Sequence, residues 1–143
     1  MKVYLAGYES YKDVFHIEKP KYVLESFYYI KEKSYSDLKP YCKSFLLDSG
    51  AYTFMRDKSK AVNWDEFAEK YIDFINLNSI DLFFELDIDS LVGIKEVERI
   101  RKKIEIGTNK QSIPVWHKSR GFDYWKKMVD KYDYVSLSAS GNN

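Results

Sequence analysis

The sequence has little cysteine and little histidine, and this limits the kinds of site that it can form. Cys42 is the only cysteine, so the chain cannot form an intramolecular disulfide or a cysteine-rich zinc site. His16 and His117 are the only histidines, and no group of residues has the spacing of a zinc finger. We therefore expect no bound metal, no other cofactor and a reducing compartment.

An excess of charge of either sign is also absent. The 23 Lys and Arg residues nearly balance the 22 Asp and Glu residues, which leaves a formal net charge of +1. This balance gives no global electrostatic reason to bind nucleic acid, although it leaves room for a local basic patch.

Long apolar runs are missing as well. None approaches the length of a membrane span, and the first residues lack the apolar stretch of a secretion signal. The sequence therefore predicts a cytoplasmic protein with no membrane partner. Its 143 residues, 45% of them hydrophobic, suffice to bury a core, so we expect residues 1–143 to form a single domain.

What the sequence does contain is a series of short apolar runs rich in β-branched or aromatic residues. They predict five buried strands, at Lys2–Ala6, Ser44–Leu47, Asp81–Leu86, Ile113–Trp116 and Tyr134–Leu137. Apolarity is almost continuous in the second and third runs. This continuity indicates that both faces of the sheet are covered, as in parallel sheets flanked by helices.

Between the runs, apolar residues recur at helical spacing. They predict four helices, at Tyr22–Lys31, Trp64–Asn76, from Ile94 to Ile104, and at Phe122–Tyr132. Asn63 is the expected N-cap of the second helix, with Glu66 closing a capping box. Asp89–Ser90 is a candidate cap for the third helix. Arg101, Lys102 and Lys103 are interpreted as its last turn, where they favour the helix dipole.

Alternating strands and helices are the signature of βαβ units with right-handed crossovers. We therefore predict an α/β fold, the N-terminal half of a TIM-type barrel with about five parallel strands. A closed eight-stranded barrel needs about 200 residues or more, so the chain is a fragment, a half-barrel completed by association, or a small open sheet. Open edges favour self-association.

Each predicted strand ends in small or polar residues, which parallel α/β folds bring to one edge of the sheet. These residues include Asp48, Ser49 and Gly50 after the second strand, Asp87 after the third, His117 after the fourth and Ser138 after the fifth. Taken singly, Asp48–Gly50 is typical of a turn and His117 of a structural histidine. Two carboxylates and an imidazole at one edge favour an active site.

These residues also carry a resemblance to a known family. The segment from Phe45 to Tyr52 resembles the strand and Asp-Ser-Gly-Gly-aromatic loop of the queuine and archaeosine tRNA-guanine transglycosylases, including their phage and DNA-modifying relatives. The segments 81–87, 113–117 and 134–141 are similar, in order and spacing, to the three strands that follow in that family. The resemblance spans about Val3 to Gly141.

The resemblance implies base exchange at a nucleoside in tRNA or DNA, in which guanine leaves and a 7-deazaguanine base takes its place. Asp48 would be the catalytic acid/base group, Ser49 and Gly50 would contact the base, and Tyr52 would stack on it. Asp87 would accept hydrogen bonds from the guanine edge. His117 would stand where the family has a base-binding Gln, and Ser138 and Ala139 would stand in a loop whose backbone contacts the base.

The sequence departs from the family in ways that bear on catalysis. The nucleophilic Asp and the Cys/His zinc site of the family lie on later segments that this sequence does not contain, and Ala51 replaces the second Gly. We therefore expect an incomplete transglycosylase-like protein that does not complete glycosyl transfer alone. The alternatives are a non-catalytic purine-binding protein and a metal-dependent TIM-like hydrolase with Asp48, Asp87, Asp89 and His117 as ligands.

Overall fold

A computed structural model describes residues 1–56 and 62–138, with the backbone alone at 54–56. Six strands occur in this part of the chain: β1 (Leu5–Ala6), β2 (Tyr22–Ser26), β3 (Ser44–Asp48), β4 (Leu82–Phe83), β5 (Val115–Trp116) and β6 (Ser136–Leu137). The helices are α1 (Lys12–Glu18), α2 (Glu32–Leu38), α3 (Ala51–Arg56), α4 (Trp64–Asn78), α5 (Asp89–Val92), α6 (Ile94–Thr108) and α7 (Phe122–Lys131).

All of the strand pairs are parallel, and neighbouring strands follow the order of the chain. Strands β1 to β4 form one sheet in the order β1-β2-β3-β4, and β5 pairs with β6. A bridge between Phe84 and Ile113 joins the two groups, with Ile113 N donating to Phe83 O at 2.8 Å. The predicted α/β class is therefore confirmed, with a four-stranded parallel sheet.

Helix α4 supplies much of the core against this sheet. Tyr71 and Ile75 of α4 are fully buried, as are Leu47 of β3 and Phe83 of β4. The Tyr71 hydroxyl donates to the carbonyl oxygens of Leu47 and Phe84, at 3.2 and 3.0 Å. Tyr71 thus satisfies carbonyls near the ends of two adjacent strands. These hydrogen bonds hold the two strand ends in place.

The predicted helix at Tyr22–Lys31 was wrong, because its first half is strand β2. Val23 and Glu25 are buried while their neighbours are half-buried, which is the period of a strand. Glu25 is a charged residue at a buried position of this strand, so the sequence does not show the apolar alternation expected of β2. Its carboxylate accepts a hydrogen bond from Tyr8 N at the exit of β1, and this tertiary contact makes a buried glutamate tolerable there.

The other three predicted helices are confirmed as α4, α6 and α7, and Asn63 caps α4 by accepting from Glu66 N at 3.2 Å. Two details were wrong. Gly93, not Asp89–Ser90, is the N-cap of α6, because Asp89 already lies in the short helix α5. Helix α6 also continues to Thr108, so Arg101–Lys103 is not its last turn.

Candidate functional site

The predicted site residues of β3 and β4 lie at the carboxyl edge, the edge at which the parallel strands end. Asp48 is the last residue of β3 and pairs in register with Ser26 of β2. Asp87 follows the end of β4, the neighbour of β3 on its other side. Asp48 and Asp87 lie close enough for the charge of Asp48 to act on the Asp87 carboxyl.

Asp48 begins a tight turn in which its carboxylate is partly buried and accepts hydrogen bonds from backbone amides. Gly50 N donates to Asp48 Oδ2 at 3.0 Å. Burial raises the pKa of Asp48, while the amides of Gly50 and Ser49 and the nearby Ser26 hydroxyl oppose this rise. The turn is therefore structural, as its sequence alone suggested, and it also leaves Asp48 with a perturbed acidity.

Gly50 is required by the packing of this turn. Its φ of +71° lies in the left-handed region, and a Cβ there would lie 2.6 Å from Ser26 Oγ and 2.7 Å from Tyr28 Cβ. Ser49 beside it is buried, and its hydroxyl accepts from Ala51 N at 3.4 Å. Ser49 and Gly50 thus hold the Asp48 turn against the loop that follows β2.

The pKa of Asp87 is raised to about 6, mainly because its carboxyl is buried, and further by the charges of Asp48 and Glu85. The positive charge of Arg120 opposes this rise. A carboxyl that titrates near neutral pH can accept hydrogen bonds when ionised and can exchange a proton under mild conditions. Asp48 and Asp87 are therefore two partly buried carboxyls with raised pKa values, near the ends of adjacent strands.

His117 follows β5 and contacts two side chains of the protein. Its Nε2 lies 3.0 Å from Asp89 Oδ1, and its Nδ1 lies 2.7 Å from Ser119 Oγ. Both ring nitrogens therefore already have partners, so a base could bind His117 only by replacing one of them. Asp89, expected as a cap, instead orients this imidazole.

A buried ionic cluster next to the site was not predicted from the sequence. Glu85 is fully buried and accepts from Val115 N at 2.8 Å, and Arg120 contacts its Oε1 while Arg101 Nη1 lies 3.2 Å from its Oε2. Arg120 also donates to Asp89 Oδ1 at 2.7 Å. The signal in the sequence was Glu85 itself, because a charged residue inside an apolar run needs a buried partner.

Of the remaining predicted residues, Tyr52 and Ser138 follow the strands β3 and β6 toward the same edge. Tyr52 on α3 is 62% exposed, so its ring is accessible to a ligand. Ser138 follows β6, and its amide donates to Trp116 O at 2.9 Å. Ala139 lies outside the described residues.

The metal-dependent alternative gains no support from the geometry. Across residues 1–56 and 62–138, no group of three or more His, Cys, Asp or Glu side chains is placed to hold a metal ion. Asp89 and His117 are in contact, but the imidazole hydrogen-bonds to the Asp89 carboxylate. Arg120 donates to the same carboxylate, so its positive charge lies where a metal ion would bind.

A cavity of about 460 Å³ opens at the opposite edge of the sheet, where β3 and β4 begin. Its lining includes Lys43, Ser44, Asp81 and Leu82. Neither Asp48 nor Asp87 lines this cavity, so the chemistry favours the carboxyl edge as the candidate site.

Among the described helices, none is both long enough and apolar enough to cross a membrane. Comparison of the chain with known proteins found no matching family model, no similar curated protein and no similar solved structure. The functional inference therefore depends on the residues of the carboxyl edge and on their geometry.

Proposed function

We propose that the chain is a guanine transglycosylase-like protein that binds guanine or a 7-deazaguanine at the carboxyl edge, with Asp87 as the base-recognising residue. One observation carries this proposal. Asp48 and Asp87 lie at the ends of adjacent parallel strands, both are half-buried, and the pKa of each is raised. The nucleic acid partner, tRNA or DNA, and the cytoplasmic location belong to the same proposal.

The chemistry of guanine suits an ionised Asp87. Guanine presents two adjacent donors, N1–H and N2–H₂, and one carboxylate offers two acceptors. Adenine has an acceptor at N1 and no amine at C2, so the same carboxylate would discriminate against it. The partial burial of Asp87 strengthens such hydrogen bonds, because less water competes for the carboxylate.

Asp48 is the proposed acid/base group for the departing or incoming base. Its raised pKa favours protonation, and the Gly50 amide, which donates to Oδ2 at 3.0 Å, fixes the carboxyl. The residues that carry the resemblance include none that corresponds to the family's nucleophile. The proposal covers base binding and proton transfer.

The order of the strands supports the partial TIM-type barrel that the proposal requires. Strand neighbours follow the chain from β1 to β4 and continue through the Phe84–Ile113 bridge to β5 and β6. A doubly wound sheet would reverse this order at a switch point. Consecutive parallel neighbours are the arrangement of a barrel wall.

Calorimetric titration of guanine, 7-deazaguanine and adenine into the protein tests the proposal. We expect the first two to bind and Asp87→Asn to weaken guanine binding about 100-fold, because a donor then replaces a buried acceptor. Asp81→Asn is the matched control, since Asp81 precedes β4 at the opposite edge and its side chain is 84% exposed. Absence of guanine binding by the wild type, or equal binding by Asp87→Asn, would contradict the proposal.

A further inference from the structure

Two exposed tyrosines follow β2 at the carboxyl edge, in the segment that the sequence had suggested was helical. Tyr28 is 45% exposed and Tyr29 is 53% exposed. The backbone turns tightly around them, since Tyr29 N and Ile30 N both donate to Ser26 O, at 3.0 and 2.9 Å. The turn presents both rings from a fixed backbone.

The ring of Tyr29 supports the ring of Tyr28. Their centroids lie 4.8 Å apart with an interplanar angle of 83°, which is an edge-to-face contact. Such a contact is favourable and restricts ring rotation. A fixed aromatic ring loses little conformational entropy on binding a planar ligand, which makes it an effective binding residue.

The turn lies directly beside the Asp48 turn. The β2–β3 ladder continues past Ser26, with Phe27 N donating to Asp48 O at 2.7 Å. The next residue is Tyr28, whose Cβ lies so close to Gly50 that a Cβ on Gly50 would be only 2.7 Å away. The Cβ of Tyr28 therefore lies next to the loop in which Ser49 and Gly50 are proposed to contact the base.

We propose that Tyr28, supported by Tyr29, is a base-binding residue whose ring stacks on the purine that Asp87 holds by its edge. This inference rests on the proposed function. Strands β2 and β4 flank β3, so their ends lie about 10 Å apart, two strand spacings. A purine can span this gap, with its face on the tyrosine and its donor edge on the carboxylate.

Tyr28 adds something that Asp87 cannot provide. The carboxylate of Asp87 discriminates between guanine and adenine by hydrogen bonding, whereas an aromatic face binds any planar base and so contributes affinity without selectivity. Loss of the Tyr28 ring should therefore weaken guanine and 7-deazaguanine binding by a similar factor. The ratio of the guanine affinity to the 7-deazaguanine affinity should therefore stay unchanged.

The test is calorimetric titration of guanine and 7-deazaguanine into Tyr28→Ala, Tyr28→Leu and Tyr28→Phe. We expect Tyr28→Ala to weaken both bases about 10-fold or more, Tyr28→Leu to weaken them less, and Tyr28→Phe to bind like the wild type. Tyr134→Ala is the matched control. Tyr134 is 64% exposed but precedes β6, which places it toward the opposite edge, so its loss should leave binding unchanged.

The failure of this inference can be distinguished from the failure of the proposed function. If Asp87→Asn loses guanine while Tyr28→Ala binds it like the wild type, the Tyr28 inference is wrong and the proposed function stands. If the wild type binds neither base, the proposed function and the inference both fail. NMR of the wild type with labelled tyrosine rings gives a second readout that needs no variant, and unchanged Tyr28 ring signals at saturating guanine would also overturn the inference.

Discussion

Arg120 donates two hydrogen bonds to the same oxygen of Asp89, from Nη2 at 2.7 Å and from Nε at 3.3 Å. The same guanidinium contacts Glu85 Oε1, and the Arg120 side chain is only 1% exposed. Arg120 therefore joins the two acidic residues that flank Asp87 in the sequence. It links the end of β4 and the start of α5 to the loop that follows β5.

We predict that Arg120→Met destabilises the protein by about 3–5 kcal/mol, because it leaves the buried Glu85 carboxylate without one of its cations. Arg99→Met is the matched control. Arg99 also bridges two carboxylates, those of Asp65 and Glu96, but its side chain is 47% exposed, so its loss should change stability little. Urea unfolding of both variants is the measurement, and similar midpoints for the two would contradict the prediction.

We predict that guanine binding weakens as the pH falls through about 6. Asp87 must be ionised to accept from two donors, and its pKa is raised to about 6, so at pH 5 about one carboxyl in ten is ionised. Affinity should therefore be about 10-fold lower at pH 5 than at pH 8. Calorimetry across this range checks the prediction, and an equally steep profile for Asp87→Asn would show that another group is responsible.

We predict that Asp87→Asn stabilises the fold at pH 8. The pKa of Asp87 rises from 3.8 to about 6 on folding, so ionisation of this group opposes folding. Between these two values the folded state binds more protons than the unfolded state, and stability falls as the pH rises. The full cost, about 3 kcal/mol, applies above pH 6 and vanishes below about pH 4.

Urea unfolding of the wild type and Asp87→Asn at pH 8 and pH 4 measures this effect. The variant should be more stable at pH 8 and equal to the wild type at pH 4. Asp81→Asn, at the opposite edge, should follow the wild type at both values. A gain in stability that is as large at pH 4 as at pH 8 would rule out ionisation of Asp87 as the cause.

We predict self-association through the outer strands. Within the described residues, β1 pairs only with β2 and β6 only with β5, and Leu5 and Leu137 on these strands are 41% and 64% exposed. Unpaired apolar edges favour pairing with a second copy. Sedimentation velocity at micromolar concentration should show species larger than the monomer.

Lysine substitutions at both edges, Leu5→Lys with Leu137→Lys, should shift the protein toward the monomer because charge on an edge strand opposes pairing. Leu77→Lys is the control, since Leu77 is 69% exposed but lies on α4. A wild type that sediments only as a monomer would contradict the prediction.

The sequence alone determined the features that depend on local periodicity. Three of the four predicted helices, the α/β class and the Asn63 cap follow from side-chain spacing within a few residues, and all are confirmed. The convergence of Asp48 and Asp87 also followed from the sequence, because parallel strands bring their carboxyl ends to one edge. The base chemistry inferred from the resemblance stays a prediction.

Only the tertiary structure decided which charges are buried and what compensates them. Strand β2 went unrecognised because Glu25 is stabilised by Tyr8 N, 17 residues away, and Glu85 is compensated by Arg120, 35 residues away. The acidity of Asp87 likewise depends on burial and on Asp48, a charge from another strand. Electrostatic energies depend on distance through space and on access of water, and a linear pattern of residues contains neither quantity.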